Sequence, residues 1–78
     1  MDRESELFCQ FEYVRSEGLC NMMDRNAVAS RANELNFYAL VVAASTRTEY
    51  SMLIKGWHKP IESEYKKWLK ENVENEIA

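Results

Sequence analysis

The side chains able to do chemistry near neutral pH are few, and their spacing does not assemble them. His58 is the single histidine and lies within GWHKP with no carboxylate beside it in sequence, so it is read as a residue of a surface turn. Cys9 and Cys20 are the two cysteines, eleven positions apart, which fits neither a paired zinc spacing nor a CxxC redox motif. Both are read as reduced thiols in or near the core. No serine or cysteine stands in a nucleophile elbow, and Gly18 and Gly56 are too far apart to cradle a phosphate. The carboxylates are plentiful but fall on faces expected to be exposed, where nothing shifts their titration. The expectation is therefore a chain without catalytic residues, metal ligands or cofactor, and not an enzyme.

The elements that would position any site follow from composition. With 78 residues, 46% of them hydrophobic, two glycines and one proline, the chain has room for one domain, and too few turn formers for an all-β fold. The expected fold is all-α: a small bundle of about five helices, two of them short, over residues 1–78. Ten Lys and Arg against thirteen Asp and Glu leave a net charge of −3, which does not suit a protein held to nucleic acid by phosphate neutralisation. Residues 1–25 carry six acids against three bases, and no basic arm follows. The longest uncharged run, Leu35 to Thr46, is shorter than the ~20 residues a membrane-spanning helix needs. MDRESE is acidic where a signal peptide is basic, so the chain is read as cytoplasmic, with no membrane partner.

Leu7, Phe8, Phe11 and Val14 form an amphipathic stripe over residues 4–17, stopped by Gly18. Cys9 and Tyr13 fall about half a turn away, next to Glu6 and Glu17. Residues 19–24 read as a loop closed by Asp24 as a helix cap, with Met22 and Met23 plugging the core. Val28, Ala32 and Leu35 mark a helix over 25–35, and Asn36 suits the left-handed turn after it. FYALVVAAST then reads as a short, fully buried central helix. Thr46 and Glu49 suggest a capping box for a helix that carries Tyr50, Leu53 and Ile54 and ends at Gly56, with Trp57 and His58 in the next turn. Pro60 opens a helix over 60–76, with Ile61, Tyr65, Trp68, Leu69 and Val73 inward. Glu62, Lys66, Lys70 and Glu74 form its outer, solvated face.

Two sets of residues are candidates for contact with another molecule. Cys9, Tyr13, Glu6, Glu17, Trp57 and His58 are left over from the inward stripes and form the candidate protein-binding set, either for a different protein or for a second copy in a homodimer. The alternative is nucleic acid held by Arg25, Asn26, Arg31 and Asn33 on the helix after Asp24. The segment that would serve as a recognition helix, 37–44, has no charge and only the Tyr38 hydroxyl, which argues against DNA.

VRSEG at 14–18, NMMD at 21–24, the AVxxxANEL pattern from Ala27 to Leu35, FYALV at 37–41 and Tyr50 followed by LIKGW resemble a family of small, functionally uncharacterised proteins of bacterial viruses and prophages. The resemblance spans residues 13–57. It departs from the family pattern where Met23 replaces an aromatic residue and Asn36 a glycine, and the helix from Pro60 onward looks like an extension. It implies no catalytic residues. Its implication is a non-catalytic protein of viral origin that binds a host protein in the host cytoplasm and so modulates a host process or defence system.

Overall fold

Asp2 accepts a hydrogen bond from the Ser5 N–H at 2.8 Å and so caps the first helix, α1 (Arg3–Glu17), in a computed structural model that describes residues 2–74. The helix ends where Gly18 turns left-handed at φ 68° and returns its N–H to the Arg15 carbonyl. The following loop is pinned by Asn21, whose side chain accepts from the Met23 N–H, and Asp24 then caps α2 (Arg25–Glu34) through the Ala27 N–H. Asn36 takes the expected left-handed turn at φ 60°. Next come α3 (Tyr38–Ala43), α4 (Arg47–Gly56), capped by Thr46 on the Glu49 N–H, and α5 (Glu62–Asn72). The all-α, five-helix architecture is as expected, and the described residues contain no strand. The 75–76 end of the expected last helix lies outside the described residues.

The 37–44 segment is central as expected, since α3 packs against α1, α2 and α4, and α1 shares the middle of the bundle with it. α1 packs against α2, α3 and α5, so that Cys9, Gln10, Phe11, Glu12 and Val14 are all buried. A helix covered on several sides must satisfy its polar groups internally. Gln10 does so by accepting the Leu40 N–H at 2.9 Å and donating to Glu6, and Glu12 by receiving Arg15 at 2.7 Å. The Gln10 contact also compensates for α3, whose N-terminus has no side-chain cap.

Three expectations about burial are corrected. Segment 37–44 is not fully buried, because Tyr38 and Val42 face outward while Leu40, Ala43 and Ala44 face α1. Met23 is 76% exposed and plugs nothing; Met22 alone of the pair touches the core. Ile61 is exposed, since α5 begins one residue later and Ile61 is only its cap position. The Leu7, Phe8, Phe11 and Val14 stripe does face the core, with Phe11 and Val14 buried and Leu7 and Phe8 half-buried at its margin. An aromatic cluster closes the bundle at the other end, where Trp68 sits 5.3 Å from Phe37 and 6.2 Å from Tyr13, with Tyr65 stacked on it at 5.9 Å. On the described outer face of α5, Glu62 and Lys66 meet at 3.1 Å.

Candidate binding surface

The candidate protein-binding set does not converge on one surface. Cys9 is 1% exposed and belongs to the core, so it cannot lie on an interface with a partner or a second copy. Tyr13 is half-buried and packs edge-on against Phe37 at 5.5 Å. Glu6 is held by Gln10. Glu17 receives two bonds from the Arg31 guanidinium, at 2.6 and 3.0 Å, which tie α1 to α2 and raise the Arg31 pKa above its ordinary value. Trp57 donates its indole N–H to the Phe8 carbonyl at 3.3 Å and lies 5.1 Å from Phe11, with the Arg15 guanidinium over its ring. His58 is exposed and meets Phe8 edge-on at 5.0 Å. Trp57 and His58 are thus brought together on Phe8, while Tyr13 belongs to the opposite aromatic cluster.

The nucleic-acid set divides in the same way. Arg31 is committed to Glu17 and Glu34. Asn26 and Asn33 are exposed. Arg25 donates to the Ala44 and Ser45 carbonyls, closing the C-terminal end of α3, and both of these partners are neutral.

Two open concavities flank α4. Residues Glu49, Met52, Leu53 and Gly56 line a groove of about 390 Å³ shared with Leu7 and Phe8 of α1 and Val42 of α3. Around the helix, Arg47, Tyr50, Ser51, Ile54 and Lys55 line a larger cleft of about 670 Å³. These positions follow the i, i+3, i+4, i+7, i+8 pattern of a single helix face. The opposite wall is the end of the 19–24 loop and the first turn of α2: Met23, Asp24, Arg25 and Asn26. Tyr50 fixes the floor by donating its hydroxyl to the Met22 carbonyl, and its burial pushes the phenol up to about 12. The Tyr50 hydroxyl therefore tethers α4 to the 19–24 loop.

The cleft differs from its neighbours in charge. It holds three cations, Arg25, Arg47 and Lys55, against the single carboxylate Asp24. In the other described concavities carboxylates equal or outnumber cations. Among the described residues none of the three cleft cations has a carboxylate within ion-pair distance, whereas Arg15, Arg31 and Lys66 do. Exposed Met23 and half-buried Ile54 add apolar surface to this basic frame. Sequence reasoning found Arg25 and Asn26 and missed Met23, Arg47, Ile54 and Lys55. The spacing of Arg47, Ser51 and Lys55 on one face with Tyr50 and Ile54 was the available signal, since only Tyr50 and Ile54 of that face read as inward.

Fold and surface together define a small five-helix domain with one basic, partly apolar cleft. No protein-family model matches the chain, and neither a curated protein nor a solved structure is similar to it. Among the described residues no group of three or more His, Cys, Asp or Glu is placed to hold a metal ion, and no helix is long and apolar enough to cross a membrane.

Proposed function

We propose that this chain works by binding another protein, with the cleft between α2 and α4 as the contact surface. The observation that supports this reading is the coincidence in one concavity of three unneutralised cations with the exposed Met23, on a chain whose net charge is −3. A methionine at a surface adapts its shape to what it meets, and a local charge opposite to the chain's own steers partners to one face. In the viral setting implied by the resemblance of residues 13–57, the partner is a host protein whose activity changes on binding.

The test is affinity capture from bacterial lysate with the full chain and with Arg47→Glu/Lys55→Glu. The reading expects a partner that the wild type retains and the double variant loses. Capture that is equal for both, or a partner that remains bound in high salt to the variant, counts against it. The second reading, DNA held by Arg25 and Asn26, has one observation in its favour, since both line the cleft. A gel shift at low salt decides it: retardation abolished by the same double variant favours DNA, and none is expected.

A further inference from the structure

We infer that the segment held by the cleft is an acidic amphipathic helix of the partner protein, an inference that rests on the reading of the α2–α4 cleft as a protein-binding surface. The charge of the occupant follows from Arg25, Arg47 and Lys55, which stand without carboxylate partners among the described residues while the rest of the chain is acidic. Carboxylates on the incoming segment supply what the cleft lacks, and a basic segment meets repulsion there.

The backbone conformation follows from the walls. The α4 wall is helical and the opposite wall is the cap and first turn of α2, so neither presents the evenly spaced row of N–H and C=O groups that an extended peptide pairs with, and no sheet edge among the described residues offers such a ladder. A segment entering such a cleft must satisfy its own backbone, and a helix does. From Arg47 to Lys55 the α4 wall spans about 12 Å at ~1.5 Å per residue, which matches about two turns of an incoming helix. Met23 on one wall and Ile54 on the other call for apolar side chains on the inserted face, with the carboxylates flanking it toward Arg47 and Lys55.

Nucleic acid satisfies the charge but not this arrangement. Its binding scales with the number of phosphates neutralised, and the cleft offers three cations beside a carboxylate and a methionine that is 76% exposed.

The experiment titrates the isotopically labelled full chain with a helical peptide of about twelve residues, roughly three turns. It carries leucines at i and i+4 and glutamates on either side. Backbone amide shifts are expected at Met23, Ser51 and Lys55, and binding is expected to weaken as salt is raised from about 50 mM to about 0.5 M. Arg47→Glu/Lys55→Glu is expected to weaken binding at least about tenfold, and Met23→Asp to weaken it as well, while Met52→Asp across α4 leaves it unchanged. A peptide with lysine in place of each glutamate tests the charge without altering the protein. Equal binding of the lysine peptide overturns the inference, as do tighter binding of a DNA duplex at the same amides and shifts centred on Val42 and Met52. If no peptide binds but Arg47→Glu/Lys55→Glu still abolishes lysate capture, the inference fails and the cleft remains the binding surface. If capture is also unaffected, both fail.

Discussion

The Cys9 thiol is enclosed on α1 and titrates near 11 instead of 9.0, because burial disfavours the thiolate and Glu64 and Glu6 add negative charge nearby. Because the folded pKa is raised, its contribution is present below the unfolded value and lost as pH rises from about 9 toward about 11. Thiol labelling at pH 8 is therefore expected to modify half-buried Cys20 in the native protein and Cys9 only in denaturant; native labelling of Cys9 would show that α1 is not central. The Glu17–Arg31 contact is partly shielded and bidentate, so a double-mutant cycle with Glu17→Gln and Arg31→Gln should return a coupling of about 1 kcal/mol by denaturant titration. Leu40 is fully enclosed, and Leu40→Ala is expected to cost about 2–5 kcal/mol in the same measurement.

Helix ends and helix attachment define the next scale. Asp24→Ala removes the only side-chain cap of α2 and is expected to cost about 1 kcal/mol. Gly18→Ala should cost a similar amount, about 1 kcal/mol, entirely from its φ of 68°, since a Cβ there meets no atom within 4 Å. α5 is anchored by one buried residue, Trp68, and Trp68→Ala is expected to abolish amide-exchange protection over Glu62–Asn72 while α1 to α3 keep theirs. The helix stops were legible in the sequence because local chemistry sets them: Gly18, Asp24, Asn36 and Thr46 act within a few residues of themselves. Depth of burial was not. Periodicity shows which residues share a face and says nothing of how many neighbours cover it, so Glu12 read as exposed with the other carboxylates, Tyr38 and Val42 read as buried, and nothing marked Gln10 as a core residue. The surface was harder still, because Arg25 and Arg47 are 22 positions apart in sequence and meet only through the packing of α2, α3 and α4.

At the scale of the whole molecule, an acidic chain has one concave face on which cations outnumber carboxylates, beside exposed methionine, while its other described concavities are neutral or acidic. Such a field orients an approaching acidic surface and makes association sensitive to salt. Cys9 and Tyr13, left over from the inward stripe in the sequence, are used in packing α1, and the proposed contact surface lies on α4 instead. Site-specific photo-crosslinking tests that assignment most directly, with a photoreactive side chain placed at Ser51 within the cleft or at exposed Ser63 on α5. A protein adduct formed from Ser51 and not from Ser63 is the expected result; an adduct from Ser63 alone would place the contact surface elsewhere and contradict the account.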